Sequence, residues 1–437
     1  MRRVDYRINS RCNGSELETS ILLANGTNAS AKIIFPTDKI ADNAYRHGLV
    51  QSAFGLIAAQ SVFHGDVYVN TPLNLVVERN MSELGTLFRS SHSYSSKADS
   101  TPVKVSTDNI NEVSNRREGQ IFVGEKRALL LWSGGKDCLA SLHVLRKNGF
   151  DVAGVHVTAN FTSKDRERTA ANELAEQYGL TLYDIPLSWD SVKDLIKENS
   201  GSYDTYPLNN AIPHGRDLVL IIIAAEIAKE NGYNYICAGY EADLWRKYVS
   251  WNGQSIARHD VQSSEAGNYI SNILLEQYGM KFFSPIAGVT ELSILNHIMN
   301  ERDQIWENIE SCFWGGWCGQ CSKCLRYHLV ELALNRKEIT FRNDPIEPSA
   351  LALLKLLSTI EDPNIAYWEQ QVWSIYKISQ RKILPEDHPI VQVVEKRRGW
   401  YESINTDICS VLANTYDNSL APTGFHPYLE LPKERLL

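Results

Sequence analysis

Leu129-Leu130-Leu131-Trp132-Ser133-Gly134-Gly135-Lys136-Asp137-Cys138 is the stretch that decides the fold. An apolar strand runs straight into two adjacent glycines. A helix follows, with Leu139, Leu142 and Leu145 on one face. Paired glycines let the backbone come close to a ligand and adopt positive φ. The free N–H groups at a helix start attract anions. Ser133 adds a hydroxyl donor and Lys136 a positive charge. The pattern G-x-x-x-x-G-K-[ST] is absent, so this is not a Walker A loop. A tight strand-to-helix turn of small residues is the plain alternative to a phosphate cradle.

Outward from this loop, strand and helix patterns alternate. Val152 to Val157, Thr181 to Ile185 and Tyr233 to Ala238 read as strands. Thr169 to Tyr178 and Asp217 to Lys229 read as helices. The alternation predicts an α/β domain over 124–340, a doubly wound, mainly parallel sheet covered on both faces. An α+β region precedes it over 1–90, with a helix expected from Asp42 to Gln60 and another opening at Thr71-Pro72. A polar linker or loop is expected over 91–123. The region 341–437 reads as mostly helical, with helices over Ser349 to Ser358 and Ile365 to Ser379. Five of the fifteen prolines follow residue 384, which predicts an irregular tail.

The 437 residues are 43% hydrophobic and 22% charged, with a formal net charge of −8. That is the balance of a soluble globular protein, and it gives no overall attraction to nucleic acid or membranes. The longest apolar run, Leu218 to Ala225, is far short of the roughly 20 residues of a membrane span. Met1-Arg2-Arg3 has no signal-peptide core behind it, so a cytoplasmic protein is expected. Four of the eight cysteines fall within thirteen residues: Cys312, Cys318, Cys321 and Cys324. Two successive C-x-x-C steps, with Gly315, Gly316 and Gly319 to bend the chain, suit a closed, structural Zn²⁺ site. An iron–sulfur cluster is the other reading of four thiolates. Trp314 and Trp317 are expected to pack over it.

Ser133 to Cys138 resembles the SGGxDS loop of the PP-loop ATP pyrophosphatases, with Cys138 where serine is usual. Loop and cysteine knuckle together resemble the 7-cyano-7-deazaguanine synthase (QueC) family. Intermediate stretches fit in order: Ile212-Pro213-His214-Gly215-Arg216-Asp217-Leu218, Ala238-Gly239-Tyr240-Glu241-Ala242-Asp243 and Phe283-Ser284-Pro285-Ile286. The resemblance implies an adenine nucleotide alpha-hydrolase-like fold that binds ATP and Mg²⁺. Ser133, Gly134, Gly135, Lys136, Asp137, Cys138, Gly215, Arg216, Gly239 and Asp243 would form the nucleotide site. Ser133, Lys136, Asp137 and Arg216 would take part in catalysis, and the four cysteines would hold zinc. Arg216 as a surface ion-pair residue and Asp243 as a helix cap are the plain alternatives.

The family converts 7-carboxy-7-deazaguanine through an acyl-adenylate and an amide to a nitrile. Here Asp217 replaces its Asn, Thr290-Glu291 stands where Asp-Lys is common, and the Tyr-Pro-Asp-Cys-Arg stretch is missing. Extra regions flank the core, as in enlarged relatives from the bacterial anti-phage Qat and type IV CBASS systems. That implies a ligase joining a deazaguanine-type carboxylate to an amine on a partner protein. The rivals are a free nitrile-forming synthase, a tRNA-modifying enzyme and an inactive scaffold. The expected partners are a deazaguanine-type small molecule, a modified protein and a second copy in a homodimer; membrane and nucleic acid are not expected.

Overall fold

The computed structural model describes residues 6–23, 25–61, 66–71, 73–96, 102–107, 125–159, 164–200, 215–257, 259–300, 308–309, 311–312, 315–413, 418–429, 431 and 436. Its strands and helices in chain order are β1 (Tyr6–Asn13), β2 (Glu16–Leu23), β3 (Asn28–Ile34), α1 (Asp38–His47), α2 (Leu49–Ser61), β4 (Val67–Val69), α3 (Leu75–Ser96) and β5 (Val105–Thr107). Next come β6 (Arg127–Leu131), α4 (Lys136–Lys147), β7 (Asp151–Ala159), α5 (Lys164–Gln177), β8 (Leu182–Ser188), α6 (Asp190–Ser200), α7 (Arg216–Asn231) and β9 (Tyr235–Cys237). Then follow α8 (Ala242–Trp245), β10 (Tyr248–Trp251), β11 (Gln254–Ala257), α9 (Ser264–Tyr278), β12 (Lys281–Phe283) and α10 (Glu291–Asn300). The chain finishes with α11 (Ser322–Leu334), α12 (Leu351–Thr359), α13 (Trp368–Gln380), α14 (Pro389–Lys396) and α15 (Arg398–Ala413).

Ten strands form one sheet in the order β12-β9-β6-β7-β8-β3-β2-β1-β4-β5. From β12 to β8 every pairing is parallel, with Leu129 opposite Ala153 on one side and Ile236 on the other. The chain runs β6, β7, β8 in one direction and then returns to β9 on the other side of β6. That reversal opens a crevice at the carboxyl ends of β6 and β9, where open α/β sheets bind ligands.

Alternate residues of β6 face opposite cores: Leu129 joins the N-terminal elements, while Ala128 and Leu130 join α4, the cysteine knuckle and the C-terminal helices. The N-terminal strands extend this same sheet. β3 lies antiparallel to β8, with Ile33 opposite Leu187. β1, β2 and β3 alternate buried and exposed residues, as expected of a sheet with one wet face. On that wet face Arg11 pairs with Glu18, and Lys32 with Glu16.

Helix α7 is apolar nearly all round because the sheet and the N-terminal α1 and α2 enclose it. This accounts for the longest apolar run in the sequence.

Several expected elements differ. The helix expected over Asp42 to Gln60 is two, broken at Gly48, where φ is 66° and a Cβ would lie 2.1 Å from Thr71 Oγ1. The helix expected at Thr71-Pro72 starts at Leu75, with Asn74 Oδ1 accepting from Val76 N; Pro72 lies outside the described residues. It runs to Ser96, through the start of the expected linker. Beyond residue 384 the chain is more helical than its prolines suggest. Pro389 occupies the first turn of α14, where its missing N–H costs nothing, and His388 caps that turn. The hairpin β10–β11 was not foreseen, although its turn is Asn252-Gly253, both at positive φ.

Candidate active site

The glycine loop is fixed from three sides. Trp132 N donates to Val155 O, its indole Nε1 donates to Ala171 O at 2.8 Å, and its carbonyl lies 2.9 Å from His156 Nδ1. Gly134 sits at φ 75°, and a Cβ there would lie 2.8 Å from Ala171 N, so glycine is required. Gly135 caps α4, and Ser133 is exposed at the mouth. Cys138 Sγ turns back onto Gly135 O at 2.9 Å. Burial pushes its thiol pKa up to about 11, so it is not a poised nucleophile.

Lys136 points inward. Its Nζ is 2.5 Å from Asp137 Oδ1 and 3.0 Å from Glu291 Oε1, and the side chain is 1% exposed. Glu291, fully buried, also accepts from Arg326 Nε at 2.5 Å, Arg326 Nη2 at 2.9 Å and Gln370 Nε2 at 2.9 Å. Burial raises the Glu291 pKa, but Arg326 and Lys136 outweigh it and hold the carboxyl at about 2. Burial likewise works against the Lys136 charge, and Asp137 and Glu291 overcome it. Lys136 therefore carries an internal ion pair, with its charge already matched by two carboxylates.

The segment after β9 closes the other wall. A Cβ on Gly239 would lie 2.8 Å from the Asp137 carbonyl oxygen. Asp243 Oδ2 accepts from Glu291 N at 2.6 Å, so it caps α10. Burial, and then the Glu291 charge, raise its pKa to about 7, even though the Glu291 N–H lowers it. Glu241, 2% exposed, accepts from Tyr367 OH at 2.5 Å. Burial, then the Asp137 carboxylate, push its pKa up to about 8.

Arg216 opens α7 after Gly215 at φ 75° and pairs with Asp217 at 2.9 Å. Asp217 accepts from Gln262 Nε2 at 3.0 Å and from Tyr240 OH, which ties Arg216 to the β9 loop. Ile212-Pro213-His214 lie outside the described residues, as do Asn160-Phe161-Thr162. A cleft of about 390 Å³ opens nearby, lined by Trp245, Arg246, Tyr248, Ser264, Asn268 and Leu420.

The sulfurs of Cys312, Cys318, Cys321 and Cys324 all lie within 4.8 Å of one another, with pairs at 3.6, 3.9 and 3.9 Å. A tetrahedron of Zn–S bonds near 2.3 Å has edges of about 3.8 Å, so the four thiols fit one metal ion. Backbone N–H groups of Cys318, Gln320 and Cys324 point at sulfurs of the set. A Cβ on Gly319 would lie 1.8 Å from Asn343 O, which fixes that bend. Trp317 packs on Tyr327 and Phe341; Trp314 lies outside the described residues.

The fold therefore brings the loop residues, Gly239, Asp243 and the turn after the knuckle into one place, with Arg216 one hydrogen-bonded step away. Arg326, Glu241, Tyr367, Gln370 and His156 join the site beyond the residues expected from sequence, and Glu291, expected only as a departure from the family's Asp-Lys pair, lies at its centre. Arg326 stands two residues after the last knuckle cysteine, which was a signal. Nothing in the sequence marks Tyr367 and Gln370.

Residues 127–330 match the model for "Queuosine biosynthesis protein QueC", and residues 271–406 match a "family of unknown function (DUF6395)". The chain is similar to 7-cyano-7-deazaguanine synthase 2 of Sulfurisphaera tokodaii, at 20% identity over 68% of this chain and 65% of that protein. It thus spans less than two thirds of that relative. It is also similar to 7-cyano-7-deazaguanine synthase of Clostridium acetobutylicum, at 22% identity over 47% of this chain and 93% of that one. Among solved structures, the U34-tRNA thiolase NcsA of Methanococcus maripaludis aligns with a TM-score of 0.28 at 12% identity, over 65% of this chain and 75% of that one. A predicted tRNA methyltransferase subunit of Methanocaldococcus jannaschii aligns at 0.25 and 17%, over 39% and 73%. Both likenesses are too loose to bear on function. Among the described residues no helix is long and apolar enough to cross a membrane. With its glycine loop at the end of β6 and its four-cysteine cluster, the region 127–330 is similar to the QueC family of PP-loop proteins.

Proposed function

We propose that this chain adenylates a 7-carboxy-7-deazaguanine-type carboxylate, releases pyrophosphate, and passes the acyl group to an amine on a partner protein in cytoplasmic anti-phage defence. The observation that carries the adenylation step is the glycine loop. It lies at the sheet's switch point, with Ser133 exposed and the start of α4 opposite Gly239. A carboxylate is a poor electrophile, and adenylation gives it a good leaving group. The N–H groups of 134–138 and the Ser133 hydroxyl would hold the departing phosphates, and Arg216 would offset their charge. Mg²⁺ bound through Asp137 would supply further charge neutralisation. Lys136, paired internally, would orient Asp137. Zn²⁺ in the closed cysteine set would be structural. The cleft lined by Trp245, Tyr248 and Asn268 would seat the deazaguanine ring.

The acyl acceptor is read from the changed pocket and the added regions. The added N-terminal region reaches the β10–β11 hairpin through α3: Ser91 Oγ donates to Ala257 O, and Tyr94 packs on Trp251. Pyrophosphate exchange into ATP that depends on 7-carboxy-7-deazaguanine tests the first half. A mass increase on a co-expressed partner tests the second, and free nitrile formed with ammonia would replace it with a plain synthase. Exchange unaffected by Ser133→Ala would overturn the loop's assignment.

A further inference from the structure

The C-terminal helical region enters the site directly. Tyr367 stands at the start of α13, more than 200 residues along the chain from the glycine loop. Its backbone is in the left-handed region at φ 59°, which is unusual for a bulky aromatic residue. The Arg326 guanidinium lies 3.7 Å over its ring. Its hydroxyl donates to Glu241 Oε1 at 2.5 Å. One turn on, Gln370 donates to Glu291. These contacts hold one buried carboxylate, Glu241, two residues beyond the glycine that touches Asp137. Among the described residues no donor engages its other oxygen, Oε2.

Four acidic side chains stand here, and three of them already have work: Asp137 pairs with Lys136. Glu291 neutralises Lys136 and Arg326, and Asp243 caps α10. Glu241 has no cation within ion-pair distance among the described residues. Among the described residues the one hydrogen bond to its carboxyl comes from a neutral hydroxyl on a separate region. A buried carboxyl group without a cation partner is costly to ionise, and such a group in a site is a candidate for proton transfer. Adenylation itself has no need of such a group, since pyrophosphate leaves as an anion. Acyl transfer does need one, because an amine attacking an acyl-adenylate must shed a proton.

We propose that Glu241 is the base for the acceptor amine and that Tyr367 is the positioning residue that aims it. The inference rests on the acyl-adenylate reading above and deepens it. The amine nitrogen forms the C–N bond with the acyl carbon. The bond from that carbon to the AMP phosphate oxygen breaks, and its electron pair leaves with AMP. The N–H proton passes to Glu241 Oε2 and from there to solvent. The C-terminal region is thus part of the transfer machinery.

The test uses the full-length protein, 7-carboxy-7-deazaguanine, ATP and two small acceptors: ammonia, as a surrogate for the protein amine, and hydroxylamine. Hydroxylamine is nucleophilic without a base at neutral pH. In Glu241→Gln, amide formation with ammonia should fall about 100-fold further than pyrophosphate exchange, within the range for lost general-base catalysis. Hydroxamate formation should track exchange. Glu241→Asp should recover part of the amide activity. Tyr367→Phe, which removes only the hydroxyl, should lower kcat for amide formation with little change in the KM for ammonia. Exchange and amide formation falling together in Glu241→Gln would overturn the proposal, as would wild-type amide rates in that variant. Exchange and hydroxamate formation without any amide in the wild type would overturn it too, and if the wild type gives no exchange, the adenylation reading fails and takes this proposal with it.

Discussion

Glu291 holds Lys136 and Arg326 through three charged contacts, with all three side chains buried. Removing one partner of such a set leaves uncompensated charge in the interior. Glu291→Ala should therefore cost about 3–5 kcal/mol of stability, measurable as a shift of the denaturant midpoint. The pH dependence has two opposed parts. The Glu291 pKa is depressed from 4.5 to about 2, so its contribution is present above pH 4.5 and is lost as pH falls toward 2. Glu241 and Asp243 are raised, to about 8 and about 7. The folded state then binds more protons than the unfolded one between their ordinary values, 4.5 and 3.8, and these raised ones. Their contribution weakens as pH rises through that window. The melting temperature should decline from about pH 5 to 8, and Glu241→Gln should flatten the decline. Cys138 is buried with a raised pKa, so the native protein should resist iodoacetamide at that thiol, as read by peptide mass.

At the scale of elements, the cysteine knuckle and the glycine loop are mechanically joined. Cys321 caps α11, Cys324 lies in its first turn, and Arg326 follows on the same turn to reach Glu291 and, through it, Lys136 at the start of α4. A metal ion in the knuckle would therefore hold the loop's internal charge network in register. Purified protein should contain about one zinc per chain by elemental analysis. Cys321→Ser should lose the metal, lower the melting temperature and depress pyrophosphate exchange together. Iron with visible absorbance in place of zinc would instead favour a cluster. In the loop itself, Gly134→Ala forces a Cβ against the α5 backbone at positive φ, so it should cost roughly 1–3 kcal/mol and most of the activity.

At the scale of the molecule, the N-terminal strands continue the sheet that carries the site, and α2 covers the apolar α7. A chain starting at residue 125 would leave β8 with an unpaired edge and uncover Leu218 to Ala228. A larger share of it than of the full chain should be recovered in the insoluble fraction after centrifugation of the lysate. The residues that touch through the sheet, the glycine loop and the four cysteines, were legible in the sequence because each rests on local chemistry. Strand period, glycine conformation and C-x-x-C spacing act within a few residues. Asp243 was legible as a residue but its partner was not: it caps α10, nearly fifty positions on. The inward turn of Lys136, the bond from Tyr367 to Glu241 and the joining of β3 to β8 were decided only by the tertiary structure. Each depends on segments far apart in sequence meeting in a dry interior. There a charge must find a partner and a sheet edge a neighbour, and no local pattern records which one it finds.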